Sequence, residues 1–315
     1  MTGDGGDLIL HQYDSSPFSE KIRKILAHKG LAWRAVEQPS IMPKPDLVPL
    51  TGGYRRIPVL QIGADVYCDS QLIARVLERL HPSPTIHPGA SEGTCHVWNL
   101  WADRVLFAAV VSVVFAEIGE HVPKAFMEDR SKMMPGRDFS EIPKLAPYAR
   151  EQLRAALDVI AAELDDGRPW LLGRGFSLAD AASYHPLWFL RVAPREAALV
   201  QRFPRVAAWM ERVAALGEGR RSNMEPSEAL AVARAATPSP SPAGGRDAER
   251  AAGDEPNGIA PGMRVAVMPD DYGFDPVVGE VVFSSVHEIA VRRRDEALGE
   301  LAVHFPRLGF RVDRA

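Results

Sequence analysis

The hydrophobic pattern of this 315-residue chain changes period twice, and that limits the architectures it can adopt. Leu8 to His11 is a short apolar run that suits a buried strand. Tyr13-Asp-Ser-Ser-Pro17 then supplies turn and helix-start chemistry, with Ser16 as a cap and Pro17 at the first helical position. Ile22, Ile25 and Leu26 follow at helical spacing, and Gly30 ends the helix. Trp33 to Glu37 reads as a second strand, and Pro39, Pro43, Pro45 and Pro49 mark a loop. Ile57 to Ile62 reads as a strand, turning at Gly63-Ala-Asp65 into Val66-Tyr-Cys68. Asp69 or Ser70 caps a helix carrying Leu72, Ile73, Val76, Leu77 and Leu80. The order is β-α-β, loop, β-β-α over residues 1–82.

His81 to Pro88 carries three prolines and reads as a linker. From 90 to 236 the periodic stretches are helical, with Glu92 to Ile118, Pro147 to Leu164, Ser177 to Val192 and Phe203 to Leu216 as the main helices. Ser177-Leu-Ala-Asp180 has the spacing of a capping box, with Asp in place of Glu. Residues Glu225 to Ala236 add one more short helix. Residues 237–257 include TPSPSPAGG and read as a flexible linker. Beyond them the pattern turns to period two, as in Met263 to Met268 and parts of Val277–Phe283, Glu288–Arg292 and Glu300–Phe305. Turn residues, Pro269 to Gly273 among them, separate these runs. Residues 258–315 are therefore expected to form a small SH3-like β-barrel.

Composition excludes several function classes. The net charge of −4 favours neither nucleic acid nor an anionic membrane as partner. Two distant cysteines, Cys68 and Cys95, offer no disulfide framework and no metal-ligand spacing. The nine histidines are scattered, so no metal site is expected. The apolar run Leu106 to Ala116 is too short to span a bilayer, and Met1 to Asp7 lacks the basic start of a signal peptide. The expected location is cytoplasmic.

Three stretches carry a family resemblance. Ser16-Pro-Phe-Ser-Glu-Lys-Ile-Arg23 resembles the motif that opens helix 1 in omega-like and zeta-like glutathione S-transferases. Arg55-Arg-Ile-Pro-Val-Leu60 resembles that family's basic-residue–Val–cis-Pro segment, and Asp69-Ser70 its acid-Ser pair at helix 3. The resemblance covers about residues 8 to 217, and the C-terminal β region lies outside it. It implies a thioredoxin-like α/β domain (1–82) followed by an all-helical domain (90–236). It also implies glutathione as co-substrate, a small hydrophobic electrophile, a homodimer, and a role in detoxification. The omega-like classes carry Cys where this chain has Ser16. A serine cannot form a mixed disulfide, so serine-type activation of the glutathione thiol is expected rather than thiol exchange.

By the same resemblance, Ser16 is the catalytic candidate, donating its O–H to the glutathione sulfur at the positive end of helix 1. The same residue is also an ordinary helix cap. Tyr13 is the alternative, one residue out of register with the tyrosine of tyrosine-type classes. Pro58 would be cis, with the Ile57 backbone pairing with the cysteinyl part of glutathione. Asp69 and Ser70 would hold the γ-glutamyl end, and Arg56 would face the glycyl end. A second reading keeps the fold without catalysis, as a glutathione-binding or interaction scaffold. The added β region and the run Val291-Arg-Arg-Arg-Asp295 give that reading some weight, while the intact Ser16, Ile57-Pro58 and Asp69-Ser70 set favours the enzyme.

Overall fold

A computed structural model describes residues 6–134, 136, 138–239 and 255–315. The chain begins β1 (Ile9–Gln12), α1 (Pro17–His28), β2 (Ala32–Glu37), α2 (Val48–Thr51), β3 (Val59–Ile62), β4 (Asp65–Cys68) and α3 (Ser70–Leu80). Helices follow: α4 (Glu92–Trp101), α5 (Phe107–Ile118), α6 (Lys124–Lys132), α7 (Ala146–Glu163), α8 (Leu178–Phe189), α9 (Pro194–Ala197) and α10 (Pro204–Ala214). The chain ends with β5 (Arg220–Asn223), α11 (Pro226–Ala235), β6 (Arg264–Pro269), β7 (Val277–Ser284), β8 (Glu288–Asp295), β9 (Gly299–Pro306) and β10 (Phe310–Arg314). Two compact units result. One holds Met1–Ser19, Ala32–Pro82 and Arg220–Ala315; the other holds Glu20–Leu31 and Ser83–Gly219.

All ten strands of the first unit form one sheet, in the order β10-β6-β7-β8-β9-β4-β3-β1-β2-β5. The thioredoxin-like part is its β4-β3-β1-β2 segment. There β1 runs parallel to β2 and antiparallel to β3, and β3 and β4 form the expected hairpin about Gly63 (φ 61°). At the β2 edge the sheet gains β5, in register from Ala32↔Arg220 to Ala35↔Asn223. Helix α11 buries Ala229 in one cluster with Ile9, Val36 and Met224. Residues that the helical pattern groups with the second unit thus complete the first.

The C-terminal strands depart most from expectation. Strands β6 to β9 form an antiparallel meander with β10 on its far edge, but the meander does not close into an SH3-like barrel. Instead β9 pairs in parallel with β4: Asp65↔Ala302, Val66↔Val303, Tyr67↔His304. An uncovered β4 would present a row of unpaired N–H and C=O groups, and β9 satisfies them. Its new neighbours bury β9 on both faces from Leu301 to Pro306, the state of an interior strand rather than of a small barrel's wall. One core cluster therefore joins Leu47, Leu50, Tyr54, Val59 and Val66 to Val265, Val281, Val291, Val303 and Phe305. Tyr54 packs edge-on to Phe305 at 5.9 Å between ring centroids. Gly52 ends α2 at φ 74°, and a Cβ there would stand 2.7 Å from the Arg293 Nε. Of the expected linker at 237–257, residues 240–254 lie outside the described residues.

A charged cluster ties β9 to β4. The buried His304 bonds Glu288 Oε1 through Nδ1 (2.8 Å) and Asp65 Oδ1 through Nε2 (3.0 Å), and Arg79 Nη1 donates to Glu288 Oε2 (3.0 Å). Burial opposes charge on His304, but its hydrogen bonds to Asp65 and Glu288 more than offset this, so its pKa rises above the ordinary 6.5. Burial likewise opposes charge on Glu288, whose pKa nevertheless falls below 4.5 because of His304 and Arg79. The two signs differ. The raised histidine contributes stability that is complete below about pH 6.5 and fades as pH rises through its folded value. The depressed glutamate contributes stability present above about pH 4.5 and lost as pH falls. The expected result is a thermal midpoint whose fall on the alkaline side of pH 6.5 is flattened in His304→Gln, which cannot be protonated. Calorimetric scans of both proteins from pH 5 to 9 test this; parallel profiles would rule the cluster out as the source.

In the second unit the expected helix Glu92 to Ile118 is interrupted. Ala102–Leu106 forms a π-helical turn between α4 and α5. The capping box on α8 is present in full, with Ser177 Oγ accepting from the Asp180 N–H and Asp180 Oδ2 accepting from the Ser177 N–H. Asp180 Oδ1 also accepts from the Leu171 N–H (2.9 Å) and from Trp209 Nε1 (2.8 Å). The Ser177 O–H donates to Oδ2 as well (2.6 Å), and four bonds to one buried carboxylate make Asp180 a structural anchor. Among the described residues no helix is long and apolar enough to cross a membrane, and no group of three His, Cys, Asp or Glu side chains is placed to hold a metal ion.

Candidate functional site

Strand register brings three of the sequence-predicted segments to one end of the sheet. His11 of β1 pairs with Val59 of β3, and Val59 pairs with Cys68 of β4. From that row the chain leaves β1 toward Ser16, enters β3 from Pro58, and leaves β4 into Asp69 and Ser70. All these residues lie in the first unit.

Ser16 closes a turn, its N–H donating to the Tyr13 carbonyl (2.9 Å), and α1 starts at Pro17. Its Oγ accepts from the Ser19 N–H (3.2 Å), the bond of a helix cap. That bond uses the oxygen as acceptor and leaves the O–H proton for donation. Ser16 is 1% exposed, whereas Tyr13 is half-buried, with Lys44 Nζ 6.0 Å from its ring centroid.

The Ile57–Pro58 peptide bond is cis. Ile57 lies just outside the registers that join β3 to β1 and to β4, so its backbone is at the rim of the ladder. At the end of β4, Asp69 caps α3, accepting the Gln71 N–H at 2.8 Å. Its φ of 75° is costly for a residue with a Cβ, a conformation typically held at binding sites. Ser70 occupies the first turn of α3, where N–H groups have no partner within the helix.

Arg56 meets partners from the far end of the chain. It is 9% exposed, and Asp271 and the Tyr272 carbonyl both accept from its guanidinium. The Tyr272 ring lies over the guanidinium, 3.7 Å from Cζ to centroid. Asp69 Oδ2 lies 4.0 Å from Arg56 Nη1. Asp271 and Tyr272 are site neighbours that the sequence shows only as turn residues; the one signal is an acidic turn, Asp270-Asp271, complementary to Arg55-Arg56.

Neither cysteine is suited to nucleophilic work. Both are buried, and burial pushes both thiols above their ordinary range, with the Asp69 charge adding to the effect at Cys68. A second polar cluster, not anticipated from sequence, lies in the other unit. The buried Lys21 Nζ donates to Asp103 (2.7 and 2.9 Å) and to Asn99 Oδ1 (3.0 Å), and His185 Nε2 bonds Asp103 Oδ1 at 2.9 Å. Burial lowers the pKa of His185 to about 4, so at neutral pH it is an uncharged donor to Asp103.

Residues 10–85 match the family model for the glutathione S-transferase N-terminal domain, and residues 101–212 match that for the C-terminal domain. A GST-like protein from Pseudomonas syringae has a solved structure 39% identical to this chain, aligned over 98% of this chain and 100% of its own, with a TM-score of 0.81. The chain belongs to the glutathione S-transferase family. Because that alignment spans almost the whole chain, the C-terminal strands of this transferase have a counterpart in the Pseudomonas protein. Two other solved transferases cover about two thirds of it. A glutathione S-transferase from Methylobacterium radiotolerans, solved in complex with glutathione sulfonate, is 25% identical over 66% of this chain and 91% of its own (TM-score 0.51). Glutathione S-transferase III, solved in apo form, is 26% identical over 67% and 92% (TM-score 0.51). No curated protein matches the chain.

Proposed function

We propose that this chain is a serine-type glutathione transferase that activates the glutathione thiol for attack on a small hydrophobic electrophile. The reading is supported above all by the shared sheet end at which the β1 exit, the cis-Pro58 rim and the β4–α3 junction meet. Ser16 donates its O–H to the sulfur, and the N-terminal end of α1 adds a field favouring the thiolate. The Ile57 backbone pairs with the cysteinyl residue. Ser70 and the first N–H groups of α3 receive the γ-glutamyl carboxylate, and Asp69 its ammonium group. Arg56 stands at the glycyl end with its charge already met by Asp271. In conjugation to an aryl halide, the thiolate forms the new C–S bond, the halide departs with the C–X electron pair, and the thiol proton passes to solvent. A homodimer located in the cytoplasm and acting in detoxification completes the proposal.

The direct test is glutathione binding by titration calorimetry. Wild-type protein is expected to bind, and Ser70→Ala to bind at least several-fold more weakly, because a hydrogen bond to a charged group contributes about 1.5–3 kcal/mol. Equal binding by the two proteins would remove Ser70 from the site, and no binding by either would remove glutathione.

A further inference from the structure

Arg56 carries an anion supplied by its own chain. Asp271 and Tyr272 belong to the connection between β6 and β7, 215 residues beyond Arg56. The Tyr272 N–H donates to Asp271 Oδ1 at 2.9 Å, which holds the carboxylate in the direction of the guanidinium. With Asp271 and the Tyr272 carbonyl as acceptors, the Tyr272 ring over one face and Asp69 at 4.0 Å, the single positive charge is faced by two carboxylates. A carboxylate brought by a ligand would have to share that one positive charge with Asp271, which already holds it.

We infer that Asp271 is a specificity-determining residue: it takes the seat of a ligand's terminal carboxylate on Arg56. The site therefore prefers a γ-glutamyl thiol peptide whose far end is uncharged or cationic to one ending in a free carboxylate. The inference rests on the glutathione reading of the site given above. An ester or amide end needs nothing from Arg56, and an ammonium end gains from Asp271. The β6–β7 connection thereby acts as a selector for the end group.

The test compares glutathione with its glycyl monoethyl ester by titration calorimetry at pH 7 and constant ionic strength. Wild-type protein is expected to bind the ester several-fold more tightly than glutathione. Asp271→Asn frees Arg56 and is expected to tighten glutathione about tenfold while moving the ester less than about twofold. Asp271→Glu keeps the charge and should keep the wild-type preference, which guards against a general disturbance of the connection. An unchanged ratio of the two affinities in Asp271→Asn, or a selective loss of glutathione binding, would overturn the inference while leaving the glutathione reading intact. Failure of wild type and both variants to bind either ligand would instead overturn that reading, and this inference with it.

Discussion

Replacing Ser16 with alanine is expected to lower kcat/KM for glutathione conjugation of a generic aryl halide by about 10²- to 10³-fold, the usual cost of losing one donor aimed at a developing or stabilised anion. The argument is local. Ser16 Oγ accepts from the Ser19 N–H and keeps its proton for the sulfur. Without that proton the bound thiol returns toward its free pKa near 8.5, so less of it is ionised at pH 7. The rising, acid-side limb of the pH–rate profile should therefore move to higher pH in Ser16→Ala. Ser16 also caps α1, and loss of a cap costs about 0.5–2 kcal/mol of stability. That part shows in the thermal midpoint and not in the pH profile, so the two roles are separable. Tyr13→Phe is expected to change kcat/KM less than about threefold. If the order of the two effects is reversed, the activating hydroxyl belongs to Tyr13.

The second large effect concerns the C-terminal strands. A chain ending at residue 238 is expected to lose cooperative unfolding and to collect in the insoluble fraction. Residues Leu47, Leu50, Tyr54, Val59 and Val66 share one buried cluster with Val265, Val281, Val291, Val303 and Phe305. Exposing the first set costs roughly 1.5–3 kcal/mol for each side chain. A domain's whole stability is about 5–15 kcal/mol. The truncation also uncovers the β4 edge and leaves Arg79 without Glu288 and Asp65 without His304. Circular dichroism and thermal melting of the truncated chain decide the matter. A soluble product with a single cooperative transition would show that the C-terminal strands are an appendage after all.

The β4–β9 junction also bears on catalysis. It brings the β6–β7 connection to Arg56, so the element that completes the sheet also touches the proposed glutathione site. A change to the C-terminal strands should therefore alter ligand preference as well as stability. Asp271→Asn and the truncation separate the two effects, because the first leaves β9 in place.

Much of the local structure is legible in the sequence alone. Helix starts at Ser16-Pro17 and Asp69-Ser70, the hairpin at Gly63, and the capping box Ser177–Asp180 all depend on groups within a few residues of each other, and local chemistry specifies them. The period-two pattern after Met263 correctly marks strands. It does not mark their partners, since alternation says which face is buried and nothing about which edge is met. The choice of β4 over closure into a barrel, the enclosure of Arg56 by Asp271 and Tyr272, and the pairing of His304 with Asp65 join residues more than 200 positions apart. Such contacts form only when the whole core packs, because their energies depend on burial and on the exclusion of water, which no short stretch of sequence possesses by itself.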